Sequence, residues 1–555
     1  MKIKLTRKKV KGLSLVLGYL GIFAIFIGFI SLLPLLVLPF FRDETAAVLP
    51  FSVVGGGNIL LGLVLYFIFL FKRERVRFER YEDSLLLATT WILALVSGAL
   101  PFFLAEVFYP GSTQMNFTAG FFEASSAYST TGMTNFTDFV DVKDAFCPHV
   151  YCFHRSLMQF IGGCGLVLLL STILGGQNGT ALYVGEGHSD KLLPNLSRSA
   201  KLIFAIYTGY TIVGALALFF AGMDPFDAIC HSMCALSGGG MSTRSHSVAS
   251  FREFNGTTDL NGVFPCNAVA IEIIIMFLVV LSGISFVLHT FLLRGKWSKF
   301  FRDSEIKYMV FMGVLAIGVS FLAVCAYLSR ANGTALFDNA ASNLRDSAFY
   351  VVGSFTTSGF SNTSLTRFLE MGKPLLIICT ILMVIGGGAG SCAGGIKMYR
   401  IVIMGKDLWH SIVHRFDSSH QKHPNLIFRY GKIRELDKEI SSEAFRYAVL
   451  FIAIYLTSII ILTFLPFYNG DNGVEYAAFD VASAMSNTGL SMGDFHAYRV
   501  DYPSESFVLL WTLSVGEMLG RLEVLPFLNS LRCVKEEVRF SRQERRKAKP
   551  RIRDE

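Results

Sequence analysis

Ser129-Thr130-Thr131-Gly132-Met133-Thr134 is the first of four related segments in this chain. The others are Ser237-Gly238-Gly239-Gly240-Met241-Ser242, Thr356-Thr357-Ser358-Gly359-Phe360-Ser361 and Ser486-Asn487-Thr488-Gly489-Leu490-Ser491. Aligned on Gly132, Gly240, Gly359 and Gly489, each has a hydroxyl residue three positions before the glycine. A bulky apolar residue follows it, and a second hydroxyl residue stands two after it. Each copy lies between long apolar stretches. Four like polar loops in an apolar chain imply a four-fold ring of backbone carbonyls around an ion.

The surrounding composition is that of a membrane protein. Of 555 residues, 52% are hydrophobic and 17% charged, where soluble domains run nearer a quarter charged. Apolar runs long enough to span a bilayer recur at Leu13–Phe40, Phe51–Phe71, Leu85–Phe108, Leu202–Ala221, Ile271–Leu293, Met309–Leu328 and Tyr447–Leu465. The first run lacks a small-residue cleavage site and reads as a retained helix. The net charge of +8 does not call for nucleic acid. Basic residues gather at Lys2–Lys11, Lys72–Arg80, Arg294–Lys307, Lys397–Lys438 and beyond Arg532, which places those segments on the cytoplasmic side. The cysteines show no zinc spacing. Cys147 and Cys152, in an expected outside loop, could pair or stay reduced.

The four glycines are spaced by about 110 to 130 residues, with the same order of apolar span, short segment, polar loop and apolar span around each. The expected fold is an all-α membrane protein with four pseudo-symmetric helix–pore-helix–filter-loop–helix repeats around a central pore. A two-helix unit (1–84) precedes repeats at 85–199, 200–305, 306–442 and 443–535, and a basic tail follows (536–555). The short segments carry small residues five before the glycine (Ala127, Ala235, Ser354, Ala484) and read as re-entrant pore helices. Their C-terminal dipole ends, aimed at one point, favour a cation.

A filter replaces an ion's water shell with oxygens, and glycine permits the backbone angles that turn successive carbonyls one way. The expected ion-contacting set is Thr130, Thr131, Gly132, Gly239, Gly240, Thr357, Ser358, Gly359, Asn487, Thr488 and Gly489. The three glycines of the second segment imply a floppier strand there.

A second constellation interrupts the apolar run Pro374–Ile396: Gly386-Gly387-Gly388-Ala389-Gly390-Ser391-Cys392-Ala393-Gly394-Gly395-Ile396-Lys397. It lacks a strand and an acidic residue for a dinucleotide fold, and a Gly-Lys-Ser/Thr ending for a phosphate loop. It reads as a broken helix. A third feature is Gly520-Arg521-Leu522-Glu523. Arginine in an apolar span faces a cavity or a partner, snorkels, or pairs with Glu517 or Glu523. Glu123, Asp227, Asp346, Glu475 and Asp480 either gather cations in an outer vestibule or cap and pair locally. His231 and His289 read as packing residues. Sequons at Asn116, Asn135, Asn255, Asn332, Asn362, Asn178 and Asn195 fall on both expected sides and do not imply glycosylation.

The four loops resemble the single-glycine filters of the Trk/Ktr/HKT superfamily of potassium transporters. The leading helix pair and basic loops look like its bacterial TrkH/TrkG branch, over roughly Leu13 to Leu531. This resemblance implies potassium as substrate, with glycine in all four filter positions. It implies a gate at Gly386, Gly387, Gly388, Gly390, Ser391, Gly394 and Gly395, with Lys397 as cytoplasmic anchor. Arg521, in a matching Gly-Arg-Leu-Glu motif, would lie beside that gate. It also implies a homodimer in the lipid of the bacterial inner membrane and a separate cytosolic TrkA-type nucleotide-binding regulatory subunit. No cofactor, catalytic residue or nucleic-acid partner is expected of this chain. Sodium or mixed-cation transport and proton-coupled symport stay open, as does a membrane enzyme using the Gly386 loop.

Overall fold

The computed structural model describes residues 9–10, 12–75, 78, 82–109, 115–136, 139–140, 147–165, 196–333, 335–414 and 424–522. The sequons at Asn178 and Asn195, the end of the first repeat, Glu523 and the basic tail lie outside them. The architecture is helical. The principal elements are α1 (Leu13–Leu32), α2 (Val48–Phe69), α3 (Glu82–Phe108), α4 (Phe117–Tyr128), α5 (His149–Cys164), α6 (Leu196–Phe220), α7 (Pro225–Leu236), α8 (Ala268–Ser282) and α9 (Phe286–Leu293). There follow α10 (Ser304–Asn332), α11 (Ala340–Thr356), α12 (Lys373–Ile385), α13 (Met398–Val413), α14 (Lys438–Thr463), α15 (Gly473–Met485) and α16 (Pro503–Leu522). An antiparallel hairpin, Leu426–Arg429 with Lys432–Glu435, connects α13 to α14. Among the described residues, six helices are long and apolar enough to cross a membrane.

The leading helices α1 and α2 meet along small residues. Gly21 faces Gly62 and Gly28 faces Gly55, and a methyl group on Gly28 would lie 2.7 Å from Gly55 O. In a membrane, close backbone approach of this kind supplies the packing that hydrophobicity alone does not.

Four short helices, α4, α7, α11 and α15, sit inside the bundle, and each runs directly into one of the four glycine loops. They have 12, 12, 17 and 13 residues. At about 1.5 Å per residue all are shorter than a hydrocarbon core of about 30 Å. Their N-termini are capped where the sequence allows. Asn116 Oδ1 accepts from Ala119 N–H at 2.8 Å, and Asp224 Oδ2 accepts from Phe226 N–H at 2.9 Å. Two sequon asparagines, Asn135 and Asn362, are fully buried.

One expected span is not a single helix. The run Ile271–Leu293 divides into α8 and α9, which bend by 112° at Gly283–Ser285. Apolarity alone hides this break, because the backbone groups it frees find partners elsewhere in the protein, as described below. Cys147 and Cys152 are buried free thiols whose sulfurs lie 3.4 Å apart.

Candidate functional site: a ring of glycines above a Gly-rich loop

The four glycine loops share one local construction. The N–H of the residue before each glycine returns to the carbonyl five residues earlier, in the last turn of the short helix. The bonds are Thr131 to Ser126 (2.9 Å), Gly239 to Cys234 (3.0 Å), Ser358 to Gly353 (2.8 Å) and Thr488 to Ser483 (2.8 Å). Two positions before the glycine the backbone turns left-handed in every copy: Thr130 (φ 65°), Gly238 (φ 75°), Thr357 (φ 55°) and Asn487 (φ 56°). This turn ends the helix and redirects the chain toward the ring glycine. Only the second copy places a glycine there, the residue to which that conformation costs least.

The strands meet. A methyl group on Gly132 would lie 2.8 Å from Gly240 N, and one on Gly240 would lie 2.6 Å from Gly359 N. On Gly359 it would lie 2.8 Å from Gly489 Cα, and on Gly489 2.9 Å from the Thr131 carbonyl carbon. The loops therefore close in the order one, two, three, four, one, with no room for a side chain between neighbours. Gly240, not Gly239, is the member of the ring. The ring forms the floor of a cavity of about 400 Å³, whose wall includes Thr134, Ser242, Ser361 and Ser491.

Hydroxyls brace the strands from behind. Ser126 Oγ and Ser483 Oγ accept from the N–H of Gly132 (3.0 Å) and Gly489 (2.9 Å). Ser129 Oγ meets Thr131 Oγ1, and Ser486 Oγ meets Thr488 Oγ1, both at 2.7 Å. The Thr130 hydroxyl donates to Ser129 O at 2.6 Å. Asn487 Nδ2 donates to Thr131 Oγ1 (3.1 Å) and to Glu517 O (2.8 Å), tying the fourth loop to the first and to α16.

The acidic residues of the short helices pair locally. Glu123, Asp227, Asp346 and Asp480 are buried, and each holds the chain just past a ring glycine. Glu123 accepts from Asn135 N–H (3.0 Å) and Asp480 from Met492 N–H (2.8 Å). Asp227 accepts from the Thr243 hydroxyl (2.6 Å) and Asp346 from Asn362 Nδ2 (3.3 Å). Arginines neutralise three of them: Arg155 at 2.5 Å from Glu123, Arg244 at 2.5 Å from Asp227 and Arg252 at 2.7 Å from Asp346. Glu475 instead pairs with Lys373 at 2.9 Å on the surface. His231 lies 2.8 Å from Asp227 O and 2.9 Å from Ser242 Oγ, and His289 lies 3.0 Å from Leu281 O; both are buried packing groups.

The Gly-rich segment is an excursion between α12 and α13 whose two feet are bonded together. Ile396 N–H donates to Val384 O (3.0 Å) and Lys397 N–H to Ile385 O (2.9 Å). Gly386 and Gly395 pack back to back at these feet. Between them Ser391 Oγ donates to Gly388 O (2.6 Å) and accepts from Ala393 N–H (3.1 Å).

This loop touches α5, the α8–α9 break, α10 and two of the ring loops. Gly388 N–H donates to Gly283 O (2.9 Å), Cys392 N–H to Ser282 O (3.2 Å), and Phe286 N–H to Gly390 O (2.9 Å). Those three bonds satisfy the backbone freed at the α8–α9 break. Cys392 Sγ reaches Gly163 O at 3.1 Å in the first repeat, and Glu305 Oε1 accepts from Ala389 N–H at 2.6 Å. Gly394 lies directly against the ring loops. Its N–H donates to Thr357 Oγ1 (2.9 Å), and a methyl group on it would lie 2.6 Å from the Ser486 carbonyl carbon.

Arg521 clasps the loop from α16. Its guanidinium donates to Cys392 O at 2.9 Å, to Gly163 O at 3.3 Å and to Gly162 O. It uses carbonyls rather than a carboxylate: Glu517, one turn earlier, forms no ion pair among the described residues. The broken α8–α9 pair and Gln159, which packs on Gly239, were not foreseen from sequence. The Ser-Gly-Ile-Ser at 282–285 was the available hint of the break; nothing in the sequence singles out Gln159.

A family profile described as TrkH, Cation transport protein, matches residues 56–538. The Trk system potassium uptake protein TrkH of Salmonella typhimurium is 29% identical over 468 residues, covering 82% of this chain and 86% of its own. An uncharacterized cation transporter of Methanocaldococcus jannaschii is 29% identical over 541 residues, covering 95% and 96%. The crystal structure of the potassium transporter TrkH from Vibrio parahaemolyticus superposes with a TM-score of 0.72 at 24% identity, covering 93% of this chain and 97% of that one. The profile spans most of the chain and the fold agrees with it: this protein belongs to the TrkH family of cation transport proteins.

Proposed function

We propose that this protein carries potassium across the membrane through the ring at Gly132, Gly240, Gly359 and Gly489. The observation that carries the reading is the closure of that ring. Four segments, each launched from a short helix by the same left-handed turn, meet glycine to glycine and line one cavity. Carbonyls of Thr130, Thr131, Gly239, Thr357, Ser358, Asn487 and Thr488 supply further oxygens along the path. Neutral oxygens bind a monovalent cation weakly enough to release it. The potassium named in the relatives' descriptions supports the choice of ion.

The Gly-rich loop from Gly386 to Gly395 acts as the gate, held by Arg521, with Lys397 as its anchor at the start of α13. Its bonds to every repeat make it a single element whose release opens the path. The chain works as a homodimer in the bacterial inner membrane, one pore per chain, with boundaries between repeats near residues 85, 200, 306 and 443. A cytosolic TrkA-type nucleotide-binding subunit docks on the basic surface between Lys397 and Lys438 and moves the gate.

Purified protein in liposomes, loaded with potassium or sodium with and without a pH gradient, tests this. Potassium flux well above sodium flux, unchanged by the pH gradient, is the expected result. Equal fluxes would sink the potassium assignment, and flux driven by the pH gradient would replace the gated pore with proton-coupled symport.

A further inference from the structure

The second glycine loop lacks something that the other three have. The residue before the ring glycine is Thr131, Ser358 or Thr488 in the other copies, and each of these side chains is bonded. Thr131 and Thr488 meet the hydroxyls of Ser129 and Ser486, and Ser358 Oγ donates to Gly239 O at 2.7 Å. In the second loop this position is Gly239, with no side chain of its own. The space is nevertheless full. A methyl group built on Gly239 would lie 2.5 Å from Gln159 Oε1 and closer still to Gln159 Cδ and Nε2.

Gln159 belongs to α5, in the first repeat, and is fully buried. Its Oε1 accepts from Met241 N–H at 3.3 Å, on the far side of Gly240. Its amide therefore lies along the back of the second strand and spans the ring glycine. The Gly239 peptide is fixed at three points: its N–H by Cys234 O, its Cα face by Gln159, and its carbonyl by the Ser358 hydroxyl of the third repeat. The glycine triplet so divides into three separate requirements. Gly238 makes the left-handed turn, Gly239 makes room for Gln159, and Gly240 enters the ring.

We propose that Gln159 is a specificity-determining positioning residue, which supplies from the neighbouring repeat the brace that the second filter strand lacks. Discrimination between cations depends on how firmly the carbonyls hold their places, and an unbraced Gly-Gly-Gly strand adapts to a smaller ion. The proposal rests on the reading of the ring as the filter.

Potassium and sodium fluxes of reconstituted full-length variants test it. Gln159→Ala should lower the potassium-to-sodium ratio by about fivefold or more. Gly239→Ser alone should do likewise, because its side chain collides with Gln159. The double variant Q159A/G239S, which restores a hydroxyl brace within the strand, should return the ratio to within about twofold of the parent. Such a rescue is not expected of a residue that only stabilises the fold. If Gln159→Ala does not assemble, Gln159→Met keeps the volume, removes the acceptor for Met241 N–H, and should still lower the ratio. A full parental ratio in Gln159→Ala, or in Gln159→Met where only that variant assembles, would overturn the proposal. So would a double variant no better than the worse single one. A parent protein without preference for potassium would overturn the filter reading itself, so the two failures are told apart.

Discussion

Gly240 stands where a side chain has nowhere to go. A methyl group there would lie 2.6 Å from Gly359 N and closer still to its Cα and carbonyl carbon, and backbone cannot yield as a flexible side chain can. Gly240→Ala should therefore displace the third strand rather than unfold the protein. Overpacking by one methyl costs about 1–3 kcal/mol, and because the strain falls on the ring the variant should lose potassium-to-sodium preference in a flux assay. Full retention of preference would mean that the strands do not meet as described. The hydroxyl at this scale is as telling as the glycine. Ser126 and Ser483 hold the ring N–H groups of the first and fourth loops, whereas the same place is Cys234 in the second and Gly353 in the third. The four loops share the left-handed turn two positions earlier, but they are braced in different ways, and only Gly132 (φ 100°) and Gly489 (φ 101°) have a positive φ in the ring itself.

At the scale of elements, the decisive unit is the Gly-rich loop with the bent pair α8–α9. Each supplies backbone partners to the other, through the bonds of Gly388 N–H to Gly283 O, Cys392 N–H to Ser282 O and Phe286 N–H to Gly390 O. Arg521 adds charge-assisted bonds to carbonyls on two sides, of a kind worth about 1.5–3 kcal/mol each. Arg521→Gln should raise potassium flux in the absence of any regulator several-fold, as measured in liposomes holding the protein alone. Gly388→Val should do the same by a different route, since its side chain meets Gly283 O, 2.7 Å from the first added carbon. Unchanged or lower basal flux in both variants would show that the loop does not close the path.

The recurrence of Gly132, Gly240, Gly359 and Gly489 made the four loops and their short helices legible in the sequence, because hydroxyl, glycine and bulky residue repeat in register. The interruption at Gly386 was equally plain, since glycine is costly in a spanning helix. The α8–α9 break was not plain. Gly283 is one glycine in an apolar run, and what makes it a bend is the loop more than a hundred residues away. Gln159 was invisible for the same reason: its role is set by which backbone it touches. Glu123, Asp227, Asp346 and Asp480 were ambiguous until burial decided for local pairing over an open vestibule charge.

Across the molecule, helices distant in sequence are joined by buried charge as well as by the ring. Glu272 on α8 accepts from Arg252 (3.0 Å) and bidentately from Arg345 on α11, and Arg252 also reaches Asp346. The carboxylate is buried, and its removal leaves two guanidinium groups without their shared partner. Glu272→Ala should lower unfolding stability by about 3 kcal/mol, as measured by thermal unfolding in detergent. Lys373→Ala breaks an exposed pair with Glu475 and should cost less than about 1 kcal/mol. Similar losses in the two variants would contradict the assignment of Glu272 as the bolt between α8 and α11.

One cation path runs through the four-glycine ring in the function proposed above. Anomalous diffraction from crystals grown in rubidium, which stands in for potassium, tests it most directly. Density is expected on the axis of Gly132, Gly240, Gly359 and Gly489, within coordination distance of their loop carbonyls, and weaker density when potassium competes. An empty ring with rubidium bound elsewhere in the protein would contradict it.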